Sequence, residues 1–268
     1  MNKSEIFNRS RLLLADVTMD LMNQKRVIVF GIGGVGSWCV ESLVRTGITH
    51  ITIVDSDCVA ITNINRQLMA TTATIGLLKT ETLRSRLLEI NPQAQIEIRT
   101  EKFNETTADS FHLDSYDYII DAIDSLKDKA LLINLATRTR AKFFSSMGAA
   151  LKLDPTRVRV AEFRDVKGCP LARALRQKFK KSDLKPAKKF KCVYSDELLP
   201  NLGVTSPLLI EEILPGKVAT NGSLMHITAI FGLTLAGLVI SDIHNKALER
   251  VSSSSVSNPD PEPDPEPK

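Results

Sequence analysis

Arg26-Val-Ile-Val-Phe30 runs straight into Gly31-Ile-Gly-Gly-Val-Gly36, and about thirty residues later the chain reads Thr62-Asn63-Ile64-Asn65-Arg66-Gln67. The first stretch is an apolar strand ending in Gly-x-Gly-x-x-Gly. Gly31, Gly33 and Gly36 supply the tight turn, Gly34 lies within it, and the next residues begin a helix. Backbone N–H groups can then approach a phosphate closely, and the helix N-terminus adds a favourable partial charge. Asp55, nineteen residues after Gly36, ends the next strand, where a carboxylate accepts hydrogen bonds from ribose hydroxyls. These features are shared with nicotinamide and flavin enzymes. The second stretch separates the possibilities. Hydride transfer has no need of amides plus Arg66 and Lys79 near the phosphates, whereas displacement of pyrophosphate needs cations where charge builds on the leaving group. The nucleotide expected here is ATP.

Working outward, the pattern alternates between strands and helices. An amphipathic helix is predicted in residues 1–24. Strands are predicted at Arg26–Phe30, His50–Val54, Gln95–Arg99, Tyr116–Ile120 and Lys142–Ser146, with helices at Val35–Thr46, Leu77–Ile90 and Leu126–Thr139. Residues 157–163 alternate as an antiparallel strand should. Strand–helix–strand units of about thirty residues imply parallel strands and right-handed crossovers. The predicted fold class is α/β: a doubly wound, mainly parallel, Rossmann-like sheet extended by antiparallel strands. The organisation is read as an N-terminal helical segment (1–24), a nucleotide-binding adenylating domain (25–250) with a basic insertion at 173–191, and a disordered acidic, Pro-rich tail (251–268). That tail is too poor in apolar residues to fold. A second irregular stretch is expected at 205–222.

Of 268 residues, 43% are hydrophobic, enough for a sizeable core. The net charge is +4. The last eighteen residues carry four acids and one Lys, so residues 1–250 carry +7. Residues 173–191 hold two Arg and seven Lys against Asp183 alone, with Phe179 and Phe190 interleaved. A helix followed by a mobile loop is predicted there, with the composition of a phosphate-backbone footprint for nucleic acid.

Leu224–Ile240 is apolar and uncharged but short of the roughly 20 residues that span a membrane, so a buried core helix is expected, with peripheral membrane contact as the alternative. No signal peptide is read at the N-terminus, and the chain is expected to be cytoplasmic with reduced thiols. Cys39, Cys58, Cys169 and Cys192 form no Cys-x-x-Cys pair, so no zinc is expected. Cys192 is flanked by lysines that would lower a thiol pKa, which keeps a covalent role open for it.

Asp121 and Asp124 follow the strand at 116–120. Carboxylates there face the ligand crevice of a parallel sheet. Asp124 is the expected Mg²⁺ ligand, and Asp121 either joins the nucleotide site or anchors the turn.

Taken together, Gly31-Ile-Gly-Gly-Val-Gly36, Asp55-x-Asp57, Asn63-x-Asn65-Arg66-Gln67, Lys79 and Asp121-x-x-Asp124 resemble the ATP-binding core of the ubiquitin-activating-enzyme superfamily, over roughly residues 5–250. Arg45-Thr46-Gly47-Ile48, Met147-Gly148-Ala149-Ala150 and Asp154-Pro155-Thr156 look like the subgroup that dehydrates threonylcarbamoyladenosine in tRNA. The resemblance implies a nucleotide site built from Gly31, Gly33, Gly34, Gly36, Asp55, Asp57, Asn63, Asn65, Arg66, Gln67, Lys79 and Asp121. It implies catalysis by Arg66, Lys79 and Asp124, with ATP and Mg²⁺. The implied reaction activates the threonyl carboxylate as an acyl-adenylate, which the neighbouring carbamoyl oxygen attacks to close a five-membered ring. The resemblance further implies a homodimer in which an N-terminal Arg reaches the partner's ATP. Arg9 best fits that role and Arg11 is the alternative, because Ala15 stands where the family usually has Gly. Two other readings stay open: adenylation of the C-terminal Gly-Gly of a sulfur-carrier protein, and a non-catalytic nucleotide-binding module partnering a cysteine desulfurase or sulfur acceptor.

Overall fold

The computed structural model of the chain describes residues 3–203 and 221–256. Seven strands form one sheet: β1 (Arg26–Phe30), β2 (His50–Val54), β3 (Gln95–Arg99), β4 (Tyr118–Asp121), β5 (Lys142–Ser146), β6 (Val158–Glu162) and β7 (Lys191–Ser195). Their order is β3-β2-β1-β4-β5-β7-β6. Every pairing is parallel except β6 with β7. The doubly wound architecture and its antiparallel edge match expectation.

The helices are α1 (Lys3–Ile6), α2 (Asn8–Asn23), α3 (Gly36–Thr46), α4 (Lys79–Ile90), α5 (Leu126–Ala136), α6 (Pro170–Lys181) and α7 (Met225–Val256). The period-2 alternation of β1 shows how the layers arise. Val27 and Val29 face one core with residues of α2, α3, α4 and α7. Ile28 and Phe30 face the other, with α5, α6 and the Phe103–Phe111 cluster. Each such side chain, fully buried, contributes about 1.5–3 kcal/mol.

Four expectations change. The N-terminal helix is broken at Ala15, whose φ of 60° and ψ of 164° lie outside helical space. The segment after α6 is tied down rather than loose: Lys185 and Ala187 donate backbone N–H bonds to Asn134 Oδ1 and Thr137 Oγ1 at the end of α5. Phe179 and Phe190 are core residues, Phe190 stacking on Phe163 at 5.0 Å, so they are not available to nucleic-acid bases. Residues 191–195, unassigned from sequence because lysines flank them, form the interior strand β7.

The apolar C-terminal helix is long enough by length and composition to cross a membrane, so its shortness is no argument against that. Its packing gives it a core role instead, because Ile227, Phe231, Leu235, Val239 and Ile243 are buried against the sheet and α3. It continues through Val256, into the segment expected as tail. Residues 257–268 and nearly all of the irregular stretch expected at 205–222 lie outside the described residues.

Candidate active site at the carboxyl ends of the strands

The strand order reverses between β1 and β4, and a crevice opens outside their carboxyl ends, as it does in open parallel sheets. The glycine turn fills one wall. Gly31 adopts φ +80°, and a Cβ there would lie 2.8 Å from the carbonyl oxygen of Ala122. A Cβ on Gly36 would lie 1.9 Å from the carbonyl oxygen of Gly31, which leaves no room for any side chain. β4 therefore sits against the turn, and the N-terminus of α3 points into the crevice.

Asp55 fixes this turn from the side. Its Oδ2 accepts from Ile32 N and its Oδ1 from Asp57 N, both at 3.0 Å. Burial pushes its carboxyl above the ordinary range, a rise that the Lys79 ammonium and these N–H bonds only partly oppose. Lys79, first residue of α4, is almost completely buried, its Nζ 2.7 Å from Asp57 Oδ2 and 3.7 Å from Asp55 Oδ1. A role on a phosphate would draw on its remaining N–H donor or on exchange with Asp57.

The Asn-Arg-Gln segment roofs the turn. A short 3-10 turn at Ile61–Asn63 starts it, with Asn63 Oδ1 accepting from Ala60 N at 3.0 Å. Arg66 lays its aliphatic stem over Gly34. Its Nη1 donates to Thr62 O at 2.9 Å and Asn65 Oδ1 at 3.1 Å. Burial lowers its pKa, and Asp124 across the crevice acts in the opposite direction. Gln67 is buried, and its Oε1 has no hydrogen-bond partner. An orphaned buried acceptor costs free energy unless a donor arrives, and a ribose hydroxyl is such a donor.

Asp124 is exposed in the crevice. Asp121 is not: it is fully buried, with Oδ2 2.8 Å from Lys129 Nζ and 2.6 Å from Ser145 Oγ, and Oδ1 accepting from Ile123 N. Of its two expected roles, the structure gives it the turn anchor and withdraws it from the ligand surface. Cys192 is also fully buried in β7, and burial raises its thiol pKa well above the ordinary value. The flanking lysines do not face it, and it is no accessible nucleophile here. Arg9 is exposed on α2 and takes no part in this chain's own crevice.

Sequence reasoning missed the supports. Trp38 Nε1 donates to the carbonyl of Arg66 at 3.1 Å, Asn65 Nδ2 donates to Ser223 O at 3.0 Å, and Thr228 of α7 abuts Gly34 beside Arg66. Nothing local signals these contacts. Among the described residues no three His, Cys, Asp or Glu side chains cluster as a metal site. A magnesium ion carried on nucleotide phosphates would need only one or two protein carboxylates, which Asp124 can supply.

These features define a class: α/β nucleotide-binding proteins in which a polar Asn-Arg-Gln roof closes over the glycine turn. The profile of the ThiF family matches residues 7–257, and the chain belongs to the ThiF family. It is 32% identical over 248 residues to the tRNA threonylcarbamoyladenosine dehydratase of Bacillus subtilis, covering 88% of this chain and 94% of that one. It is 34% identical over 238 residues to the Haemophilus influenzae protein of the same name, covering 84% and 88%. The crystal structure of Escherichia coli tRNA N6-threonylcarbamoyladenosine dehydratase in complex with ATP superposes with a TM-score of 0.79 at 31% identity, covering 92% of this chain and 96% of that one.

Proposed function

We propose that the chain dehydrates threonylcarbamoyladenosine in tRNA at the expense of ATP. The single observation that supports this reading is Arg66 lying over Gly34 of the glycine turn with Asp124 across the crevice, in a chain similar along most of its length to enzymes of that name. The turn's N–H groups and the α3 N-terminus hold the triphosphate. Gln67 Oε1 and Asp55 face the ribose. Lys79 exchanges Asp57 for phosphate, and Arg66 exchanges Thr62 O and Asn65 for the departing pyrophosphate, so both cations meet charge as it develops. Asp124 holds Mg²⁺, which when bound neutralises phosphate charge.

Adenylation of the threonyl carboxylate releases pyrophosphate. The neighbouring carbamoyl group then displaces AMP and closes the ring. That nucleophile is tethered within the substrate, so no protein nucleophile is needed, consistent with a buried Cys192. The active form is a homodimer, Arg9 of each subunit serving the other's ATP, and a tRNA substrate suits a cytoplasmic location.

The test is mass spectrometry of nucleosides from threonylcarbamoyladenosine-bearing tRNA incubated with the protein, ATP and Mg²⁺. The expected product is lighter by one water, formed with AMP and only when ATP is present. ATP turnover driven instead by a carrier protein ending in Gly-Gly would replace this reading with the sulfur-carrier one.

A further inference from the structure

At the opposite edge of the sheet, the starts of β1, β4, β5 and β7 open into a groove of about 740 Å³. Its rim carries seven cations against three carboxylates. Some of these cations are engaged. Lys25 pairs with Asp117 at 2.8 Å, Lys246 pairs with Asp242 at 2.7 Å, and Lys188 Nζ donates to the carbonyls of Thr139 and Ala141. The side chains of Arg140, Lys189 and Lys191 have no ion-pair or hydrogen-bond partner among the described residues. Lys142 also pairs with Asp242, at 3.4 Å, and burial, then repulsion from Lys142, lowers the Lys188 pKa.

The groove does not stand alone. α6 begins beside Gly148, at the carboxyl edge where the candidate site lies, because a Cβ on Gly148 would meet Leu171 at 3.7 Å. It ends where the chain ties back to the end of α5, at the amino edge. Arg173, Gln177, Lys180 and Lys181 are exposed at spacings that place them on one face of it. Twelve helical residues cover about 18 Å, and a five-residue strand about 17 Å, so this face spans the depth of the sheet.

We propose that the amino-edge groove and the exposed face of α6 form one docking track for the sugar–phosphate backbone of the tRNA, running from the carboxyl edge beside the candidate site to the far end of the sheet. The proposal rests on the tRNA reading above and names the surface that reading leaves open. Three observations favour a polyanion over a small anionic ligand. The cations are strung out rather than convergent. The aromatic floor residues Phe143 and Phe190 are buried, which leaves backbone contact and no base stacking. The track is longer than a mononucleotide.

The test compares the full chain with R140E/K189E and the milder R140Q/K189Q, using fluorescence anisotropy with threonylcarbamoyladenosine-bearing tRNA across a salt series, and ATP binding as the folding control. The expected result is tRNA affinity reduced about tenfold or more by charge reversal and less by neutralisation. The slope of log affinity against log salt should become shallower by about 1–2, as befits two lost phosphate contacts, with ATP affinity unchanged. Wild-type-like affinity and slope in R140E/K189E would overturn the docking track and leave the proposed reaction intact. Failure of the wild-type chain to bind this tRNA in a salt-dependent way would overturn both.

Discussion

Arg66 is held at both ends: its backbone carbonyl by Trp38 and its guanidinium by Thr62 and Asn65. The side chain is pre-positioned, so its removal should cost charge stabilisation more than fold. Arg66→Ala is expected to slow AMP formation by about 100-fold or more, with an unchanged melting temperature. Arg66→Lys should rescue little, because an ammonium cannot reproduce the planar fork. Ala15 makes a different point. Its φ and ψ fall in a region that glycine occupies freely and an L side chain enters at a cost of about 1–3 kcal/mol. The backbone here has a shape that Gly would adopt without strain. Ala15→Gly should raise stability by about 1 kcal/mol after allowing for glycine's larger unfolded-state entropy, read as a higher melting temperature.

Between elements, two contacts frame the site. The β1–α3 turn admits no side chain at Gly36, so Gly36→Ala must displace Gly31 or the start of α3. A cost of about 1–3 kcal/mol falling on the turn lowers ATP affinity about tenfold or more, measurable by calorimetry. Glu41 joins α3 to α4. Burial raises its pKa, but hydrogen bonds from Arg86 and Arg45 outweigh burial and hold the carboxyl below the ordinary glutamate value. A depressed carboxylate contributes stability that is complete above the unfolded pKa and lost as pH falls through the folded one. The melting-temperature gap between wild type and Glu41→Gln is therefore expected to be full near neutrality and to close below about pH 4. A gap that persists unchanged at pH 3 would show that shape rather than charge links the two helices.

At the scale of the molecule, α2 leaves Leu12 and Leu13 about 80% exposed, beside Arg9. A second subunit covering this surface would bring Arg9 to a neighbouring crevice. Arg9→Ala and Asp124→Ala proteins, each inactive alone, should regain about a quarter of wild-type activity when their subunits are exchanged, because half the dimers are mixed and each holds one complete site. No recovery in verified mixed dimers would place Arg9 outside the neighbouring site. On the proposed reading the two edges of the sheet would divide the work: chemistry at the carboxyl ends, and phosphate-backbone contact at the amino ends.

Local sequence was enough for β1, β2, β3 and β5, for β4 with a shift of one to two residues, and for the glycine turn and the cations of the Asn-Arg-Gln segment, because period-2 apolarity, steric demand at glycine and charge spacing are properties of neighbouring residues. It also pointed to the segments after β2 and β4, which carry Arg66, Gln67, Lys79 and Asp124, as the candidate crevice, since carboxyl ends of parallel strands share one side of the sheet. What it could not decide was which polar groups are already paired. Asp121 and Asp124 look alike in sequence. Only the packing of α5 on β4 and β5 gives Asp121 a buried partner in Lys129 and leaves Asp124 facing solvent. Cys192 stays open for a covalent role, and Phe190 belongs to a basic surface segment, until β7 inserts between β5 and β6 and both side chains are enclosed. Strand order is set by long-range burial, and burial decides whether a charged or nucleophilic group is available for chemistry or belongs to the scaffold.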